Sequence, residues 1–167
     1  MTLALTGCLD TSPDAVELSN IRPWNVIPRS SPTAFVKTFD RLCVKPLVAK
    51  QPFETTLRNA SYVPTGKRDR RGFRTFVVDD RRPAVLVQER RASRGCGVIA
   101  VARTGQTQRV RNAIPQLFPN ARPANPSLVA GAEQVWVETS PTRVIFTSRD
   151  ASIPSGANYR LAVIETE

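Results

Sequence analysis

Apolar residues along this chain change their period several times, and each change marks an element. Ser31 precedes Pro32, a hydroxyl able to cap free amides followed by a residue preorganised for the first helical turn. Phe35, Phe39 and Leu42 then recur at helical spacing, with Val36 and Cys43 beside them, until Pro46 interrupts the pattern. That stripe predicts a helix facing the core. Pro52 opens a shorter candidate with Phe53, Leu57 and Ala60 on one face, closed by Tyr62-Val63-Pro64-Thr65-Gly66. From Phe73 the period changes: residues 73–78 and 84–87 read as a hairpin around Asp79-Asp80-Arg81-Arg82-Pro83, and residues 98–102 as a third strand. Thr107 leads another helix with Val110, Ala113, Ile114 and Leu117 inward, which Pro115 should kink or end. A Pro- and Asn-rich link over 119–127 then leads to three short strands, 135–137, 143–146 and 159–164, rich in β-branched and aromatic residues.

The order of helices, three strands, helix and three strands predicts an α+β fold in a single domain. We expect a mostly antiparallel sheet of about five or six strands with two or three helices packed on one face, arranged as two α-β-β-β halves. Strands separated by so few residues are hairpin neighbours, which disfavours a parallel, doubly wound sheet. The expected boundaries are a globular domain over 32–167, a tether over 8–31 and a leader remnant over 1–7. The tether is polar and punctuated by Pro13, Pro23 and Pro28, a composition that buries little apolar surface. Residues 21–27 around Trp24 are more apolar than a pure spacer and are expected either to dock on the domain or to bind a partner.

Charge narrows the function. Twenty-four Lys and Arg against fourteen Asp and Glu leave +10, and most of the cations are Arg, whose planar fork suits phosphate and carboxylate groups. The expected partner is anionic. Three clusters carry the charge: Lys67, Arg68, Arg70 and Arg71; Arg81 and Arg82; Arg90, Arg91 and Arg94. All sit at predicted turns around one hairpin, so the first and third could share an end of the sheet. Such a surface suits lipopolysaccharide or phospholipid phosphates, cell-wall carboxylates, a protein partner or, as the least favoured, nucleic acid, the alternative being an ordinary solvated rim. Base-specific nucleic-acid reading is disfavoured, because no such motif occurs and aromatic residues are not interleaved with the arginines.

The chain contains no His, which removes the commonest general base and metal ligand; no cofactor is called for. Asp79-Asp80, or Glu133 with Glu138, could suggest acid–base chemistry, but adjacent turn aspartates are ordinary turn formers. Ser152 and Ser155 read as loop residues with no base to activate them. No stretch approaches the roughly 18 to 20 apolar residues needed to cross a bilayer, so membrane attachment would be covalent or peripheral.

Leu3-Ala4-Leu5-Thr6-Gly7-Cys8 resembles the lipobox of bacterial lipoproteins, with small residues before the cysteine. The resemblance covers these residues alone and implies a processing class, not a domain family. It implies cleavage before Cys8 and acylation of its sulfur, with Met1 inside the hydrophobic part of a longer leader. Leu9, in place of the aspartate associated with inner-membrane retention, implies the periplasmic side of the outer membrane. Setting Cys8 aside leaves Cys43 and Cys96, which are expected either to form a disulfide in an oxidising compartment or to be separate buried thiols. The expected function is that of a non-catalytic exported lipoprotein, held to the membrane by its lipid, with an Arg-rich surface for an anionic envelope component or protein partner. The alternatives are a structural subunit of a larger envelope or phage-like assembly and a hydrolase with an unfamiliar site.

Overall fold

A computed structural model describes residues 11–66, 68–69, 72–150 and 156–166. Cys8, Lys67, Arg70, Arg71, Ser152 and Ser155 lie outside the described residues. The first helix, α1, is Pro13–Asn20, capped by the Ser12 hydroxyl accepting from the Ala15 N–H at 3.2 Å. A short 3₁₀ turn, Pro23–Asn25, follows. Helix α2 starts as Pro32–Phe39 under the same kind of cap, Ser31 to the Ala34 N–H at 3.1 Å. It then passes through a π-helical turn, Asp40–Val44, and continues over Lys45–Val48. Pro46 was expected to halt this helix and does not. The Lys45 N–H reaches the carbonyl of Asp40, five residues back, and this widened turn accommodates the proline that follows. Helices α3, Phe53–Asn59, and α4, Gln106–Leu117, complete the set.

The strands are β1 Val63–Pro64, β2 Arg74–Val77, β3 Ala84–Arg90, β4 Ser93–Val101, β5 Arg122–Ala124, β6 Ala132–Thr139, β7 Thr142–Asp150 and β8 Asn158–Thr166. They form one open antiparallel sheet in the order β1-β2-β3-β4-β8-β7-β6-β5, two four-strand meanders joined through β4 and β8. Among the described residues this corrects the expected five or six strands and two or three helices to eight strands and four helices. The two unforeseen strands are the edges. Each is two or three residues long and contains a proline, so neither shows a period-two pattern. Short, proline-bearing edges also offer little template for pairing with another chain.

The helices do not all lie on one face. On the front, Phe35, Phe39, Leu47, Phe53, Leu57 and Val110 pack against Phe76, Val85, Val98, Ile145, Leu161 and Val163, all buried. Here Cys43, in the π turn of α2, is bonded to Cys96 of β4, with Cα atoms 5.2 Å apart and both residues fully buried. The expected alternative of two separate thiols is thereby excluded. On the back, Ile21 joins Val77, Ala84 and Ile99, with Leu18 and Ile27 alongside. Helix α1 reaches this back cluster along β1 while Asp14, at its start, forms a two-pronged pair with Arg58 of α3 at 2.8 and 2.9 Å. Residues 12–27, within the stretch expected as a tether, therefore lean on the domain through both apolar and ionic contacts.

Candidate functional site

The basic side chains fall into two groups according to whether they have an acidic partner. Several arginines are structural. Arg82 donates to Asp80 at 2.7 Å and to the Ala60 carbonyl, and stacks on the Tyr62 ring at 5.0 Å. Arg94 turns onto the front face, where it donates to the Gln51 carbonyl and to Glu89 and lies 4.8 Å from the centre of the Phe53 ring. Both were candidate partner-binding residues, and both are engaged within the fold.

Arg94 belongs to a longer row. Strand register places Glu89, Arg94, Glu165, Arg143 and Glu138 side by side on β3, β4, β8, β7 and β6, alternating in sign across five strands. At its centre Arg143 donates to Glu165 at 2.7 Å and to Glu138 at 3.0 Å. Side-chain exposures of 12% for Arg143, 5% for Glu138 and 8% for Glu165 make this a buried triad. Directly opposed unlike charges are favourable cross-strand pairs, so the row stitches the two meanders together at one end of the front face. Glu133, the other acid considered for catalysis, is paired with Arg149 at 3.0 Å.

Four other candidate arginines, Arg68, Arg81, Arg90 and Arg91, are exposed at the two ends of the β2–β4 meander. At one end lie the 66–72 loop and the β3–β4 turn. The Arg68 guanidinium donates to the Gly72 carbonyl at 3.1 Å, and Gly72, at φ +82°, lies so close to Arg90 that a Cβ there would come within 2.9 Å of its guanidinium. Arg68 of the first cluster and Arg90 of the third thus share this end, with Arg91 exposed in the adjoining turn. Arg81 is at the opposite end, in the β2–β3 turn.

That opposite end carries a groove of about 1290 Å³, walled by Arg22 to Asn25, Ile27, Arg29, Asp79 to Arg81, Val101 to Arg103 and Gly156. Its floor is built by the docked amino-terminal segment. The Asn25 amide donates to Asp79 at 2.8 Å, the Arg22 backbone N–H donates to the same oxygen, and the Val101 N–H donates to the Pro28 carbonyl at 3.1 Å. Trp24, held at the turn, is 68% exposed, with the Arg22 guanidinium 6.0 Å from its ring centre. Arg29, Arg81 and Arg103 are exposed and make no ion pair with any described residue. The two acids of the groove are occupied, Asp79 by Asn25 and Arg22 and Asp80 by Arg82. The groove thus presents an open indole and three guanidiniums with no ion pair among the described residues.

The chain matches no protein-family model, no curated protein and no solved structure. The groove is therefore read from its own chemistry. Among its residues, sequence reasoning had singled out Arg81 and weighed Trp24. It missed Arg29 and Arg103, isolated single cations that the fold brings to one place from the amino-terminal segment and from the β4–α4 loop.

Asp79 is the latch of this segment. The Asn25 amide first, and then the Arg22 backbone and side chain, hold its carboxyl below its ordinary value of 3.8. A depressed carboxylate stabilises the fold above its unfolded pKa and loses that contribution as pH falls through the folded value. The latch should accordingly hold throughout the neutral range and loosen only below pH 3.8. Asp79→Ala should open it at neutral pH, read as faster tryptic cleavage after the exposed Arg29. Cleavage at the unchanged rate would show that Asp79 holds nothing.

Proposed function

We propose that this chain is a non-catalytic exported lipoprotein, anchored through Cys8 on the periplasmic side of the outer membrane, that uses a basic groove to bind an anionic envelope component or partner. The observation that carries the reading is the convergence of Arg29, Arg81 and Arg103, each without an acidic partner among the described residues, around an exposed Trp24. Guanidiniums without partners favour phosphate or carboxylate groups through paired, charge-assisted hydrogen bonds. An exposed indole adds a flat apolar surface at modest entropic cost. The Cys43–Cys96 bond supports an oxidising compartment, where such bonds form and persist.

Titration calorimetry with two soluble probes tests the reading: the delipidated, phosphorylated core oligosaccharide of lipopolysaccharide, and carboxylate-bearing peptidoglycan fragments. Binding of one of them should weaken on adding salt. Arg81→Gln together with Arg103→Gln should lower its affinity by about 100-fold or more, since each charge-assisted hydrogen bond contributes roughly 1.5–3 kcal/mol. Binding of neither probe, or affinity unchanged in the double variant, counts against the groove. Stoichiometric co-purification with a large complex would instead favour a subunit of an envelope assembly.

A further inference from the structure

We propose that the end of the sheet bearing the 66–72 loop and the β3–β4 turn lies against anionic phospholipid headgroups of the leaflet that anchors the chain, so that the Trp24 groove faces away from the membrane. The proposal rests on the acylation of Cys8 advanced above. Its geometry comes from where the chain enters the fold.

Folded structure begins early. Ser12 caps α1, and four residues of fully extended chain span at most about 14 Å. An acylated Cys8 would therefore hold the start of α1 close to the bilayer rather than at the end of a long stalk. Ser12 and Asp14 share a cleft of about 640 Å³ with Gly66 and Arg68, so the chain enters the fold beside the basic loop. Arg68 there is hydrogen-bonded to a neutral carbonyl and keeps its charge uncompensated by that contact. Arg90 lies against Gly72 of the same loop, and Arg91 is exposed with no ion pair among the described residues.

A diacylglyceryl group brings two acyl chains and anchors stably by itself, so a basic patch beside it sets how the domain lies on the surface rather than whether it is attached. Cations act on a bilayer only within about a Debye length, roughly 8–10 Å. The end of the domain next to the anchor is placed to meet that condition. The groove is at the other end of β3, six residue steps or about 20 Å away. One end of the hairpin is thus placed to hold the surface and the other to hold a ligand.

The test uses the full chain carrying Cys8→Ala, so that acylation does not mask the contribution of charge, in co-sedimentation with vesicles of phosphatidylcholine alone or with phosphatidylglycerol added. The unacylated chain should bind the phosphatidylglycerol vesicles and not the neutral ones. Each Lys or Arg on such a surface strengthens binding about fivefold, so Arg68→Gln with Arg91→Gln should weaken it about 25-fold. Arg81→Gln with Arg103→Gln should leave it unchanged. In a Trp136→Phe background, Trp24 should stay open to an aqueous quencher on the vesicle. Absence of binding, equal losses from the two double variants, or shielding of Trp24 would each overturn the orientation. Failure of the underlying reading shows separately, as an intact mass of the native protein without a diacylglyceryl group on Cys8.

Discussion

Arg143→Met should destabilise the protein by about 3–5 kcal/mol, because it leaves Glu138 and Glu165 buried at 5% and 8% side-chain exposure with no counter-charge between them. For a chain of this size that is a fall in melting temperature of roughly 10 °C or more. The variant that removes all three charges, Glu138→Leu with Arg143→Met and Glu165→Leu, should recover most of the loss. A buried ion pair roughly breaks even against apolar residues of similar volume, whereas a buried charge without a partner does not. Arg94 keeps Glu89 and the Gln51 carbonyl as partners in that variant. Thermal melts of the single and triple variants decide the matter. A single variant within about 1 kcal/mol of the native protein would mean that water reaches the triad and the row is no more than a surface ion pair.

Removing the disulfide should cost nearly as much. Cys43 and Cys96 are 53 positions apart, and in the chain-entropy treatment a cross-link over that distance stabilises by about 4 kcal/mol by restricting the unfolded chain. Cys43→Ala with Cys96→Ala should lower the melting temperature by roughly 10 °C and make the native protein the more resistant of the two to denaturant. The bond ties the first helix of the front layer to a central strand of the sheet, so its loss should act on the whole transition rather than on one end. Coincident melting curves for the native protein and the double variant would show that close packing of α2 on β4 suffices without the bond. These two variants touch neither the groove nor the basic loop. Residual ligand binding by either, measured below its melting temperature, separates folding from recognition.

The elements that could be read directly from the chain are those whose pattern repeats locally. Phe35, Phe39 and Leu42 announce α2, Phe53 and Leu57 announce α3, and the six longer strands are rich in β-branched and aromatic residues. What escaped was either too short for a period or stabilised mainly by something distant. β1 and β5 have two and three residues and exist because a neighbouring strand supplies their hydrogen bonds. Helix α1 has the same serine–proline opening as α2, so a signal was present. None of its own residues is buried, however, and its contacts come from Arg58 on α3 and from the back of the sheet. A polar, proline-punctuated segment thus composed like a tether is part of the domain.

The arginines divide along the same line. Clustering in sequence identified Arg81 and Arg91 as surface cations, but it could not tell them from Arg82 and Arg94 next to them. Whether a guanidinium is available depends on whether a carboxylate, a carbonyl or a ring stands within reach; beside the local acids Asp80 and Glu89, such partners come from elsewhere in the chain, Ala60 and Tyr62 for Arg82, Gln51 and Phe53 for Arg94. The alternating row from Glu89 to Glu138 is invisible in sequence for the same reason, since it needs five strands in register.

By itself the sequence determined the α+β composition, the excess of positive charge, the absence of histidine and a pair of cysteines suited to bonding. These follow from side-chain chemistry and local periodicity, which act over a few residues. Tertiary structure alone decided which charges cancel, that the amino-terminal segment leans on the sheet, and that Arg29, Arg81 and Arg103 share one groove with Trp24. Those outcomes turn on distances between residues far apart in the chain, and only the folded backbone sets such distances.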